Sequence, residues 1–346
     1  MLAASIPPIE SSVRLAVPAG SFSGAFFMQR PLGHTGFSLF PVAFGCGPVS
    51  GLLTVDANAA QQTLQRATIA QALDRGIDWF DTAAGYGAGW SESNLGRVLT
   101  ELDPRHNVRV ATKVRLTPDD ADDFPAAIER SLRQSLDRLR RPRVTLLQLH
   151  NSITQTAGSL PTSVAIDDVL RPGGILDGLE RVRHKGLVDL IGLTGLGEPE
   201  ALQSAIGTGR FQTIQLPINP LLLACPPTHA SPVGEVAVQS LVPLCADLGM
   251  GVFGIRVFAG GALLLAPPSP YTHVTRFFTL ESYQRDLEWA KTWGAGRPPG
   301  VSLPQFTIGA VLQHPGVSAA IVGFGQPGEV GEAAGVTRLP GLVVTK

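Results

Sequence analysis

Apolar residues along this chain follow two alternating patterns. Short, almost continuous hydrophobic runs occur at PVAFGC (41–46), GIDWFDTA (76–83), VRVATKV (108–114) and VTLLQLHN (144–151). Four more follow at LVDLIGLTG (187–195), FQTIQLPIN (211–219), GMGVFGIRVF (249–258) and VSAAIVGF (317–324). Runs of this kind suit parallel strands buried on both faces. Between them lie stretches of helical periodicity, at about 59–75, 91–102, 123–140, 174–186, 198–208, 235–248, 302–314 and 327–335. In the third of these, Ile128, Leu132, Leu136 and Leu139 recur every three or four residues, with Arg130, Arg133 and Asp137 between them. Gly76 and Gly186 follow Arg75 and Lys185, a glycine stop after a cation suited to a helix C-terminus.

Strand and helix alternate eight times in 346 residues, which predicts an α/β fold of the (β/α)8 TIM-barrel kind in one domain over 28–346. A doubly wound open sheet is the competitor. It calls for a Gly-rich dinucleotide turn after its first strand, and GCGPVSG at 45–51 is not G-x-G-x-x-G opening a helix. Residues 1–27 break the pattern and are expected to form a flexible N-terminal extension. Pro7, Pro8, Glu10 and Arg14 interrupt any apolar run there, so no secretory signal is expected. No later run reaches the ~18 apolar residues of a membrane span.

Composition narrows the function classes. Lys and Arg total 27 against 28 Asp and Glu, a net charge of −1, which argues against nucleic acid or an anionic membrane as partner. Cys46, Cys225 and Cys245 are widely spaced, with no CxxC and no histidine at a metal spacing. They suit buried thiols in a reducing, cytoplasmic setting. No metal site is expected: a metal-dependent barrel hydrolase needs His and carboxylate clusters at strand ends, which are absent here.

A TIM barrel carries its chemistry at the C-terminal strand ends. Read there, the sequence offers Asp81 after the second strand, Tyr86 in the following Gly-rich loop, Lys113 on the third and His150 after the fourth. Each alone has an ordinary alternative: a loop cap, a packing ring, a snorkelling lysine, a satisfied core histidine. Together they suit a phenolic proton donor. A phenol titrates near ~10, an adjacent ammonium lowers that value, and an aspartate holds the ammonium in place. The histidine orients a carbonyl oxygen beside the hydroxyl. None of these side chains supplies hydride, so a nicotinamide cofactor is required.

At this point the sequence resembles the aldo-keto reductase superfamily over essentially 28–335. The resemblance lies in RPLGHTGFSLFPVAFGCG, FDTAAGYGAGWSESNLGRVL, VATKV, LLQLHN, IGLTG and QHPGVSAAIVGF. It implies that Asp81, Tyr86, Lys113 and His150 are the catalytic tetrad, with Tyr86 as general acid or base. It implies nicotinamide carboxamide contacts from Gln215 and from Thr194–Gly195, a pair that is commonly Ser-Asn in the family. Ile255 stands where an aromatic ring usually stacks on the nicotinamide. Arg256 after it is expected to meet the pyrophosphate, or else to be a solvent-facing or ion-paired strand end. The turn GFGQPGEVGEAAG (323–335) matches the adenosine end, with Gly323, Phe324, Gln326 and Glu329 as cofactor contacts and Ala333 where an asparagine is common.

NADP(H)-preferring members place Lys or Arg in that turn. Here the nearest downstream cation is Arg338, and Glu329 is expected to repel a 2′-phosphate or, equally, to serve the helix dipole. The cofactor expected is therefore NAD(H) or NADP(H), with a lean to NAD(H) or dual use. The resemblance implies hydride transfer to or from a small-molecule carbonyl, alcohol or sugar. The alternative is a slow or non-turnover regulatory subunit of the same fold. Loops 151–173 and 259–300 are expected to wall an open substrate pocket, with 336–346 too short to cover it. Trp90 is expected either as an aromatic wall near Tyr86 or as core packing of its helix.

Overall fold

The computed structural model describes residues 29–224, 238–275 and 279–339. The expectations for 1–27, for Cys225 and for the tail beyond 339 fall outside these residues. Eight parallel strands close into a barrel: β1 (Val42–Gly45), β2 (Trp79–Asp81), β3 (Arg109–Val114), β4 (Val144–Leu149), β5 (Val188–Thr194), β6 (Thr213–Pro217), β7 (Gly251–Ile255) and β8 (Val317–Gly323). They pair in chain order, with β8 returning to β1. Each predicted strand is present and slightly shorter than its apolar run. β7 stops at Ile255 because Arg256 turns the backbone into the left-handed region, with φ 53°.

Eight helices follow the strands: α1 (Ala59–Asp74), α2 (Trp90–Leu102), α3 (Phe124–Leu139), α4 (Ile175–His184), α5 (Pro199–Gly207), α6 (Val238–Asp247), α7 (Leu303–Gln313) and α8 (Pro327–Ala334). Their starts obey local chemistry. Asn58 and Gln61 form a reciprocal cap at α1, Ser302 and Gln305 another at α7, and Asp123 accepts the Ala126 amide at α3.

Three features lie outside the eight predicted strand–helix pairs. A hairpin pairs Arg30–Pro31 with Ser38–Leu39 and inserts Leu32 and Leu39 into the N-terminal end of the barrel. Ile153–Thr154 pairs with Val164–Ala165 in the loop after β4. The 259–300 connection is not a bare loop, since Thr279 caps a helix over Leu280–Ala295 within it.

Strand alternation sorts side chains into two layers. The inner layer includes Ala43, Trp79, Ala111, Leu146, Leu190, Phe253 and Ala319. The larger outer layer packs residues such as Phe44, Phe80, Val110, Leu147 and Ile214 with the helices. Cys46 and Cys245 are buried free thiols. Among the described residues no helix is long and apolar enough to cross a membrane.

Candidate active site

Continuing the inner layer toward the C-terminal strand ends replaces apolar side chains by polar ones. Two residues beyond Trp79 stands Asp81, two beyond Ala111 stands Lys113, and two beyond Leu146 stands Gln148. Asp81 and Lys113 are almost fully buried, at 3% and 1% exposure, so each charge needs a partner. Lys113 Nζ lies 2.5 Å from Asp81 Oδ2, donates to the Thr82 carbonyl at 2.9 Å, and reaches the Tyr86 hydroxyl at 3.3 Å. The other Asp81 oxygen accepts the amides of Gln215 at 2.5 Å and Gln148 at 3.3 Å. His150, just past β4, meets the Tyr86 ring edge-on with centroids 5.5 Å apart. The four predicted residues therefore converge.

Tyr86 is held by its loop. The Tyr86 amide donates to the Ala83 carbonyl and the Ala84 amide to that of Lys113. Gly87 has φ 58°, and a Cβ there would lie 2.2 Å from the Thr54 carbonyl oxygen. Behind the loop Glu92 is fully buried, accepting from Thr112 at 2.5 Å and from Arg138 at 2.7 Å. This ties the start of α2 to β3.

The electrostatics correct one expectation. Burial pushes the Tyr86 phenol above its ordinary value; Lys113 pulls it back, and Asp81 adds to the rise. Lys113 therefore opposes the shift without reversing it, and the phenol holds its proton. Burial works against the Lys113 ammonium, but Asp81 and Tyr86 outweigh it and its pKa rises. Burial raises Asp81 as well, against the pull of Lys113, Gln215 and Gln148. His150 falls well below the usual imidazole value through burial and then the charges of Lys113 and Arg115. It is neutral, with Nδ1 buried and lacking a hydrogen-bond partner.

A cavity of about 1130 Å³ opens over this cluster. Asp81, Tyr86, His150, Thr194, Gln215, Ile255, Arg256, Gly323 and Glu329 all line it. Loop 151–173 contributes Pro161 and Thr162, and loop 259–300 contributes Leu264, Ser269 and Tyr271 among others.

Three of the expected contact residues do not line this cavity. Gly195 faces the outer layer, where a Cβ would lie 2.4 Å from Leu216. Phe324 is buried in that layer, its ring 5.1 Å from Phe44. Gln326 is the exposed residue before α8, and its amide reaches Glu329 at 3.4 Å. Glu329 accepts the Gly325 amide at 2.7 Å, so its carboxylate already serves the start of α8. Arg256 turns at the end of β7, where its carbonyl accepts from Asn219. Trp90 is neither wall nor core, being 41% exposed and away from the cavity. Two cavity-end residues went unnoticed in the sequence. Gln148 and Arg115 share the inward parity of His150 and Lys113, and counting by twos along β4 and β3 finds both.

A family model for the aldo/keto reductase family matches residues 49–341. The chain belongs to that family. L-galactose dehydrogenase of Arabidopsis thaliana is 25% identical over 90% of this chain and 89% of its own length. A D-threo-aldose 1-dehydrogenase from a Pseudomonas species is 29% identical over 58% of this chain and 62% of its own. Among solved structures, the holo form of a Bacillus halodurans aldo-keto reductase superposes with a TM-score of 0.66 at 19% identity, over 92% of this chain and 93% of that one. A Klebsiella pneumoniae aldo/keto reductase in complex with NADP and acetate gives 0.61 at 19%, over 91% of each chain. Among the described residues of this aldo/keto reductase, no group of three or more His, Cys, Asp or Glu side chains is placed to hold a metal.

Proposed function

We propose that this aldo/keto reductase is an NAD(P)-dependent oxidoreductase acting on a small-molecule carbonyl or the corresponding alcohol or sugar, with Tyr86 as general acid and base. The observation that carries the reading is Lys113 Nζ, bound at once to buried Asp81 and to the Tyr86 hydroxyl. The cavity residues also fit a nicotinamide: Thr194 Oγ1 is buried without a hydrogen-bond partner, beside Gln215 in the strand register. A carboxamide would satisfy it. When bound, the nicotinamide supplies or accepts the hydride.

The side chains then divide the remaining work. The protonated Tyr86 hydroxyl gives its proton to the carbonyl oxygen in reduction, and the phenolate takes it back in oxidation. Lys113 stabilises that phenolate, and Asp81 keeps Lys113 charged and aimed. Neutral His150 orients the carbonyl oxygen by hydrogen bonding. The names of the two sugar dehydrogenases support sugars as the substrate class. The NADP and NADPH complexes of the Klebsiella protein support a nicotinamide dinucleotide and lend the lean toward NAD(H) no weight.

A steady-state screen of aldehydes and sugars with both cofactors, at the absorbance band of the reduced nicotinamide, tests the reading. Cofactor-dependent turnover well above that of Tyr86→Phe is expected. Turnover no better than that variant across the panel would overturn it in favour of a binding role.

A further inference from the structure

Glycine serves a strand end by taking up a left-handed backbone, by letting other atoms come close, or by leaving space in front of it. Gly47, two residues past β1, does not need the first, since its φ is negative. Nor does it need the second. At Gly192 a Cβ would lie 2.2 Å from the Thr213 hydroxyl, and at Gly195 2.4 Å from Leu216, so packing closes those positions to a side chain. A Cβ on Gly47 would meet nothing so near. Beyond its chain neighbours, the nearest atoms are Cε2, Cζ and the hydroxyl oxygen of Tyr86, at 3.6, 3.7 and 4.0 Å. That is ordinary contact. What the glycine leaves is space in the cavity, which it lines together with Tyr86.

The space borders the reacting group. Tyr86 meets His150 edge-on and has Lys113 Nζ 4.8 Å from its ring centroid. Neither neighbour is free to move aside: Lys113 is fixed by Asp81 and the Thr82 carbonyl, and the His150 amide donates to the Val114 carbonyl. A carbonyl oxygen that takes the Tyr86 proton sits at hydrogen-bond distance from that hydroxyl. The reacting carbon and its substituents then lie within a few ångströms of it. A side chain at residue 47 would occupy the same shell.

We propose that Gly47 determines specificity by leaving room beside the Tyr86 hydroxyl for a second carbon substituent on the reacting carbon, so that ketones are accepted alongside aldehydes. This rests on the reading of Tyr86 as the acid and base of carbonyl reduction.

The test compares 4-nitrobenzaldehyde with 4-nitroacetophenone, which differ only in that substituent, in the native enzyme, Gly47→Ala and Gly47→Val. The native enzyme is expected to reduce both. Gly47→Ala should lower the ketone-to-aldehyde ratio of kcat/KM by about tenfold, the low end for a one-carbon change in a pocket, and Gly47→Val should lower it further. The ratio is insensitive to the amount of folded enzyme, so the alanine variant decides if the valine one does not fold. A merely structural role would lower both substrates alike. Reduction of the aldehyde alone by the native enzyme, or a native ratio in Gly47→Ala, would overturn the proposal and leave the oxidoreductase reading intact. Turnover of neither carbonyl would overturn the proposal, and the reading with it where the whole aldehyde and sugar panel is equally inert.

Discussion

The two ends of this barrel are built from the same strands and solve opposite problems. At the N-terminal end Leu32 and Leu39 from the hairpin pack with Trp79 and Phe253, whose rings lie 5.1 Å apart. The rim is closed by the Arg109–Asp78 ion pair, with Arg109 over the Phe37 ring at 5.5 Å. Two residues further along the strands, the C-terminal end buries Asp81 and Lys113 under an open cavity. Burying an ion pair contributes little stability compared with well-packed apolar groups, and breaking one is costly. On β2 the step from Trp79 to Asp81 therefore separates what holds the barrel shut from the cluster proposed to act on a substrate.

Two substitutions test that separation most strongly. Tyr86→Phe keeps the ring against His150 and deletes the proton. Turnover is expected to fall by about 10²–10⁴-fold, with the melting temperature and cofactor affinity nearly unchanged. Near-native turnover would take Tyr86 out of the mechanism. Trp79→Ala should do the reverse, lowering the unfolding free energy by about 3–5 kcal/mol in a urea titration, with kcat per folded molecule retained. A loss of kcat comparable to that of Tyr86→Phe would mean the two ends are not independent.

The next effect is smaller and depends on pH. His150 is buried neutral, with a folded pKa below the unfolded value of about 6.5. The unfolded chain then binds the extra proton, so its contribution to stability is present above about 6.5 and is lost as pH falls toward the folded pKa. The slope contributed by this one group reaches at most about 1.4 kcal/mol per pH unit. His150→Gln should flatten that acid limb in denaturation experiments. In the native enzyme, carbonyl reduction should show no inflection near the ordinary imidazole value, and its loss of the acid form at Tyr86 should come only above the ordinary phenol range. An inflection near pH 6.5 that disappears in His150→Gln would show that the imidazole titrates in the folded site.

The barrel was legible because strands buried on both faces leave continuous apolar runs, and the candidate cluster because Asp81, Lys113 and His150 stand where three of those runs turn polar, with Tyr86 in the loop after Asp81. The site residues that were missed or misplaced share one cause. Strand parity decides which neighbour faces inward, and motif matching ignores it. Gly195 and Phe324 sit one residue past Thr194 and Gly323, so both point to the outer layer. Arg115 and Gln148 keep step with Lys113 and His150, so both point in. The hairpin before β1 escaped for another reason: two-residue strands are too short to show any period. The Tyr86 shift needed burial, which depends on how loops fold over the strand ends.

The smallest expected effect is at Glu329, and it sharpens the comparison by testing a charge on the C-terminal side that is already committed locally. Its carboxylate accepts the Gly325 amide at 2.7 Å in the first turn of α8, where a negative charge also suits the helix dipole. It lines the cavity as well, on the β8 side. A glutamine keeps an acceptor for that amide and loses only the charge. Glu329→Gln should therefore destabilise by about 0.3–1 kcal/mol, the usual size of a first-turn dipole contribution. If the carboxylate also faces the adenosine ribose, its removal should raise the NADPH-to-NADH ratio of kcat/KM. The expected rise is below about tenfold, since charges in a solvated site are screened and couple weakly. A ratio that does not move would confine Glu329 to holding the helix, and any cofactor preference would then trace to Arg256, Arg338 or the backbone amides of the turn.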